Sequence, residues 1–196
     1  KRTMDILVSA LMLLITSPIF LVASIAIKLY DGGPVFYRQA RCTMNGKVFY
    51  IFKFRSMIVD AEKDGKSQPA ADHDPRITPV GRILRATRLD ELPQLIDILI
   101  GNMSLVGPRP ERVEHVEKYT EDLAEFEYRL KVRGGLTGYA QIYGKYNTTP
   151  LDKLKLDLMY IESYSVLLDI RLIFLTLKIM FTKESTEGVE EGQNHA

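Results

Sequence analysis

Two adjacent carboxylates, Asp90 and Glu91, stand in the stretch TRLDELPQL (87–95), with an arginine before them and Pro93 after. Asp90 suits a helix N-cap, and Pro93 is tolerated in a first helical turn because its missing N–H would have had no partner there. That reading predicts a helix through Gln94–Ile100 that stops at Gly101, with both acids favoured by the helix dipole. It leaves the arginines unexplained. Arg85 lies upstream, and in SLVGPRPER (104–112) Pro108 and Pro110 hold Arg109 in a stiff extended turn. Two arginines close to free helix N–H groups make an anion site, and the planar guanidinium fork matches phosphate. A carboxylate beside bound phosphate is repelled unless a divalent cation sits between them, and Mg²⁺ accepts one or two carboxylates together with phosphate oxygens. With that ion, Asp90 is a candidate nucleophile or metal ligand, and Glu91 a candidate metal ligand or proton carrier.

The surrounding elements must place these groups. KVFYIFKFRSM (47–57) is rich in aromatic and β-branched residues and reads as a strand, in which alternation puts Lys53 and Arg55 on one face. A solvated strand face explains the two cations equally well. Residues 60–79 form a polar loop carrying Gly65, Pro69, Pro75 and Pro79, and its Asp72-His73-Asp74 triplet is assigned no site. VGRILRATRL (80–89) reads as a short basic helix.

From Ile6 to Ile27 no residue is charged, enough for a straight helix of about 33 Å, the thickness of a bilayer's hydrocarbon core. Ser17-Pro18 falls in the middle of this run, where Pro18 cannot donate to the carbonyl of Leu14. Both flanks are basic, with Lys1 and Arg2 before, and Lys28, Arg38 and Arg41 after. A break at Ser17-Pro18 with both ends on the cytoplasmic side, a re-entrant helix, fits that charge pattern better than a crossing. Residues 161–182 are apolar but interrupted by Asp169, Arg171 and Lys178, which suits either a helix lying in the membrane interface or one packed on the core.

The 196 residues suffice for one domain with an anchor, and the net charge of +1 gives no sign of a nucleic-acid partner. Cys42 is the single cysteine, so no internal disulfide forms, and His73, His115 and His195 are scattered without zinc-ligand spacing. The chain opens on Lys1-Arg2 rather than on a methionine, which reads as a fragment or processed form with room for upstream transmembrane helices or a further domain.

KFRSM (53–57), LDELPQL (89–95), GPRP (107–110) and LTGYAQIYG (136–144) follow in order behind a hydrophobic segment interrupted by Ser-Pro. In this combination the chain resembles the bacterial sugar transferase family, the monotopic phosphoglycosyl transferases that start glycan assembly on polyprenol phosphate, over about residues 1 to 187. The resemblance implies transfer of a sugar 1-phosphate from a UDP-sugar to undecaprenyl phosphate with release of UMP. This would be the first membrane step of exopolysaccharide, capsule or glycoconjugate synthesis. It also implies that Asp90 is the nucleophile of a phosphosugar-aspartyl intermediate and that Glu91 assists in metal binding or proton handling, with Mg²⁺ held by Asp90 and Glu91. Lys53, Arg55, Arg85 and Arg109 would bind substrate phosphate, and Ser17-Pro18 would match the family's membrane break. The implied architecture is α/β of the α+β type. A re-entrant membrane helix (1–30) leads to a helix-rich catalytic domain (31–182) with a small antiparallel sheet and interfacial amphipathic helices, followed by a mobile tail (183–196). The implied place is the bacterial cytoplasmic membrane, with the catalytic domain on the cytoplasmic face, in contact with membrane lipid and with no nucleic acid; a homodimer is open.

Three departures stand out: Arg133-Gly134-Gly135 where many members have Arg-Pro-Gly, Tyr139 in place of a frequent Trp, and Cys42 where Gly is common. None touches the acidic pair, and residues 133–145 are expected to shape the nucleotide or sugar pocket. Two rival readings are a non-catalytic membrane scaffold holding anionic lipid headgroups, which does not account for the acids, and a glycosyltransferase moving only the sugar, which would release UDP.

Overall fold

The computed structural model describes residues 1–61, 74–144 and 148–180. The expected mobile tail, most of the 60–79 loop, Asp72 and His73 lie outside these residues. The chain opens with helix α1 (Arg2–Asp31) and continues into an antiparallel hairpin, β1 (Phe36–Cys42) and β2 (Val48–Phe54). Helices α2 (Pro79–Ala86) and α3 (Gln94–Ile100) flank the acidic pair. Strand β3 (Ser104–Val106) pairs in parallel with β4 (Gly135–Thr137) across an excursion that contains α4 (Val113–Asp122). Three helices close the chain: α5 (Tyr139–Tyr143), α6 (Pro150–Ser163) and α7 (Val166–Met180). The fold is thus helix-rich with small sheets, in line with the α/β expectation; the parallel pair was not foreseen.

Helix α1 does not stop at Pro18. The carbonyl of Leu14, which Pro18 leaves without a backbone donor, accepts instead from the Ser17 hydroxyl at 2.8 Å. Buried positions Asp5, Ser9, Thr16, Ala23 and Ile27 recur at helical spacing along the whole of α1, so one stripe lies against the domain throughout. Leu7, Leu14, Leu21, Val22 and Leu29 are exposed. Among the described residues α1 is the one helix long and apolar enough to cross a membrane.

Both ends of α1 are fixed by polar contacts. Asp5 accepts from the Ser104 hydroxyl and the Leu105 N–H at 2.9–3.1 Å, all of them buried. Lys1 reaches the Val106 carbonyl, the Tyr160 hydroxyl and the buried Asp169 carboxylate. Arg2 donates to the carbonyls of Ile98 and Leu99, the free carbonyl end of α3, where a cation is favoured. At the other end Asp31 forms a two-pronged pair with Arg55 just past β2.

Asp169 therefore is not a solvent-facing interruption of an interfacial helix. It points inward, and the 161–182 segment is not one helix, since Ile161–Ser163 belong to α6. The expected core packing is present at Leu172 of α7, while Val166, Leu167, Ile170, Phe174 and Leu177 are exposed. The main core joins Phe49 and Ile51 of β2, Leu95 and Ile98 of α3, β3, Tyr160 and Leu172. A second cluster sets Ala23 and Ile27 of α1 against Phe54 and Leu84.

Removing the Asp5 carboxylate leaves two buried donors without an acceptor, a loss of about 1–3 kcal/mol. We expect Asp5→Ala to lower the midpoint of thermal unfolding by roughly 2–4 °C per kcal/mol in detergent, followed by circular dichroism. An unchanged midpoint would mean that this contact does not hold α1 to the domain.

Candidate active site

The chain leaves α2 at Thr87, reverses at Arg88, which adopts a left-handed conformation (φ 55°), and enters a single 3₁₀ turn over Leu89–Glu91. Asp90 therefore does not cap α3, as the sequence suggested. Pro93 stands at that helix start, and α3 begins only at Gln94, while Gly101 ends it in the expected left-handed conformation (φ 97°). The 3₁₀ turn replaces the first helical turn because Thr87 and Arg88 bond back to α2, so the chain must reverse within these residues.

The turn points its two acids in different directions. Asp90 lines a cavity of about 560 Å³ between the β1–β2 hairpin, α2 and the segment 56–61, within the usual range of a small-molecule site. Lys53, Arg55 and Arg85 line it as well. Glu91 is not among its lining residues. One oxygen of Glu91 receives both the Lys53 ammonium and the Arg109 guanidinium, each at 2.7 Å. The Asp90 carboxylate has no hydrogen-bond donor among the described residues.

Charge follows this geometry. Burial pushes the Asp90 carboxyl above its usual range, and Glu91 adds to that push against the attraction of Lys53, Arg85 and Arg109. Burial acts on Glu91 in the same sense, but Arg109 and Lys53 outweigh it and hold Glu91 well below the usual range. Burial lowers the Lys53 pKa, and Glu91 works against that shift. The site thus sets two adjacent acids apart, with Asp90 the more basic of the two.

Arg109 is set from two sides. Its loop follows β3, which packs so closely on β4 that a Cβ on Gly135 would lie 2.1 Å from the Gly107 nitrogen. The buried Arg129, paired with Asp157, donates to the Arg109 carbonyl at 2.8 Å. Of the four expected phosphate-binding cations, Lys53 and Arg109 meet at Glu91, and Arg85 faces the cavity from the last turn of α2. Arg55 lies past the end of β2 and is engaged by Asp31. Ser17 and Pro18 are inside α1, away from these groups.

Several residues at the site were not singled out from the sequence. Tyr37, Gln39 and Arg41 alternate along β1 and line the cavity, as does Arg112. Their alternation is visible in VFYRQAR, but nothing in that stretch indicates what they face. Residues 133–144, expected to shape the pocket, contribute no lining residue; Gly134 and Gly135 serve the close contact between β3 and β4.

A helix-rich α/β domain carried on one long apolar helix, with a carboxylate facing a cation-lined cavity, is the class that this fold and site define. The chain belongs to the bacterial sugar transferase family, whose profile matches residues 1–183. It is 46% identical over 190 residues to the UDP-glucose:undecaprenyl-phosphate glucose-1-phosphate transferase of Klebsiella pneumoniae, covering 94% of this chain and 41% of that protein. It is 39% identical over 185 residues to the UDP-N-acetylgalactosamine-undecaprenyl-phosphate N-acetylgalactosaminephosphotransferase of Aeromonas hydrophila, covering 93% of this chain and 44% of that protein. A glucose-1-phosphate transferase of Caulobacter vibrioides, also named for UDP-glucose and undecaprenyl phosphate, is 38% identical over 191 residues, covering 94% and 71%. The chain spans about two fifths of the length of the first two of these relatives.

Because folding favours the ionised form of Glu91, its stabilising effect is present above the unfolded value near 4.5 and is lost as pH falls through the lower folded value. Glu91→Gln leaves Lys53 and Arg109 facing each other. It is expected to reduce stability at pH 7 by about 1–3 kcal/mol, with the gap to wild type narrowing as the pH is lowered past 4.5 in denaturant titrations. A pH-independent gap would contradict the charge assignment.

Proposed function

We propose that this chain moves a sugar 1-phosphate from a UDP-sugar to undecaprenyl phosphate, releasing UMP, as the first membrane step of exopolysaccharide, capsule or glycoconjugate synthesis. The observation that carries the reading is the divided orientation of the acidic pair: Asp90 faces the cavity with an unengaged carboxylate, and Glu91 turns away to Lys53 and Arg109. The relatives' names, which pair a UDP-sugar with undecaprenyl phosphate, support the same chemistry.

In the proposed reaction an Asp90 carboxylate oxygen attacks the sugar-bearing phosphorus. The bond from that phosphorus to the bridging oxygen breaks, and the electron pair leaves with UMP. An oxygen of undecaprenyl phosphate then attacks the same phosphorus, and the Asp90–phosphorus bond breaks to restore the carboxylate. Splitting one displacement into two suits a site with a single phosphate locus served in turn by two substrates. The raised basicity of Asp90 favours attack, while Lys53, Arg85 and Arg109 act in favour of its ionised form. Lys53 and Arg85, which both line the cavity, meet the phosphate oxygens, and Arg55, braced by Asp31, adds positive charge. Glu91 positions Lys53 and Arg109.

The carboxylate that faces the cavity suits Mg²⁺: Asp90 is uncommitted and would hold the ion, whereas Glu91, expected as the second ligand, turns away to Lys53 and Arg109 and has only its second oxygen left to offer. Mg²⁺ accepts one or two carboxylates when phosphates complete its shell. Bound there, it would neutralise charge on the transferring phosphoryl group.

We read α1 as re-entrant, with the catalytic domain on the cytoplasmic face of the inner membrane. A crossing helix would leave its ends on opposite sides of the bilayer, whereas Lys1, Arg2 and Asp31 are all bonded to the one domain. The exposed apolar faces of α1 and α7 supply the surface for lipid.

Nucleotide release tests the reaction. Detergent-solubilised protein with Mg²⁺, undecaprenyl phosphate and a panel of UDP-sugars is expected to yield UMP from one donor, lost on chelation. UDP would mean transfer of the sugar alone, and release of neither nucleotide would favour the scaffold reading. Asp90→Asn is expected to lower turnover roughly 10³-fold or more while membrane binding and the circular dichroism spectrum are retained. Near-normal turnover would remove Asp90 as the nucleophile. For topology, tags at both termini are expected to resist labelling from the periplasm, and a labelled N-terminal tag on a protein with a cytoplasmic domain would overturn the re-entrant reading.

A further inference from the structure

The cavity is polarised along β1. At the strand's start, next to the end of α1, its rim is apolar: Phe36, Ile58 and Val59 line it and are 38–49% exposed. Tyr37 pairs across the hairpin with Lys53, the lysine bonded to Glu91, which places the reacting locus near that end. Arg41 lies four residues further along the same strand face, a rise of about 13 Å. Gln39 stands between them, and Arg112 bridges to Arg41 on the neighbouring segment.

Lys53 and Arg55 on the same wall each touch a carboxylate, whereas Arg41, like Arg38 and Arg85, makes no ion pair among the described residues. Its two terminal nitrogens are held by neutral acceptors, the Pro110 carbonyl at 3.1 Å and the Gln39 side-chain oxygen at 2.7 Å. Its Nε is buried and has no hydrogen-bond partner. Burial, with Arg109 and Arg112 nearby, pushes its pKa down to about 10 against the attraction of Glu111. A half-buried guanidinium in this balance gains from an anion that enters the cavity beside it.

We propose that Arg41, held by Gln39, forms the subsite for the nucleoside monophosphate half of the donor, the part that departs as UMP. The proposal rests on the phosphosugar-transfer reading above and adds a direction to it. The nucleotide occupies the polar arm of the cavity along β1, and the lipid acceptor approaches over the apolar rim beside α1. The span from the Lys53 level to Arg41 suits a nucleoside monophosphate extending from the reacting phosphorus. Such a ligand offers phosphate oxygens and base carbonyls as acceptors, and its negative charge complements the guanidinium of Arg41. A polyprenol chain offers neither at this end.

The test is direct binding of UMP by isothermal titration calorimetry to the detergent-solubilised chain, together with steady-state kinetics in both substrates. Arg41→Met and Gln39→Leu are expected to weaken UMP binding and raise KM for the UDP-sugar, Arg41→Met by roughly tenfold or more. KM for undecaprenyl phosphate should be unchanged within about twofold. Arg41→Lys, which keeps the charge but lacks the planar fork, should recover only part of the affinity. Thermal melts identify any variant that fails to fold, and Gln39→Leu, which removes no charge, carries the test if Arg41→Met does. Wild-type affinity for UMP in the folded variants, or an equal rise in KM for both substrates, would overturn the subsite while leaving the transfer reaction intact. If the wild-type chain binds no UMP, the transfer reading and the subsite fall together.

Discussion

One oxygen of Glu91 receives both Lys53 and Arg109, and the geometry of the site depends on that shared contact. Lys53 comes from the hairpin, Glu91 from the 3₁₀ turn and Arg109 from the loop after β3, so three chain segments meet at a single atom. Without the acid, two cations would oppose each other in a half-buried setting; without the cations, Glu91 would carry an uncompensated charge into the domain. Because Glu91 is committed in this way, its neighbour on the 3₁₀ turn is left facing the cavity. The basicity of Asp90 and the strong acidity of Glu91 are two consequences of one arrangement.

The rest of the molecule holds those three segments in place. Arg129 and Asp157 fix the Arg109 carbonyl from behind, and the close approach of β3 and β4 at Gly107 and Gly135 fixes where its loop starts. Helix α1 contributes polar clamps as well as apolar surface. Asp5 binds the start of β3, Arg2 closes the end of α3, and Asp31 braces Arg55 at the end of β2. The same helix that exposes an apolar face therefore organises the walls of the site.

The acidic pair, the cations near it and the long apolar helix could be picked out in the sequence because each rests on local signals. These are adjacency of charges, prolines that stiffen a loop, and an uninterrupted hydrophobic run. Strand alternation placed Arg55 on one face with Lys53, and both line the cavity; that β2 ends at Phe54 and that Asp31, distant in sequence, engages Arg55 was not legible. Asp169 was counted as an interruption of an apolar surface, although Lys1 and Tyr160 make it an interior group. Arg41 was visible only as a flanking positive charge. In each case the missing information was a partner more than twenty residues away, or a wall assembled from separate segments.

The sequence by itself determined the family, through motif order, and the long apolar helix, through an uninterrupted hydrophobic run; the helix-rich α/β character followed from the family resemblance. Only the tertiary structure decided that Asp90 belongs to a 3₁₀ turn rather than a helix cap, that Asp90 faces the cavity while Glu91 turns away, and that β1 supplies the cavity's polar wall. Those outcomes depend on where Lys53 and Arg109 arrive from other parts of the chain. Electrostatic preference acts on distance in space, and distance in space between remote residues is not a property of local sequence.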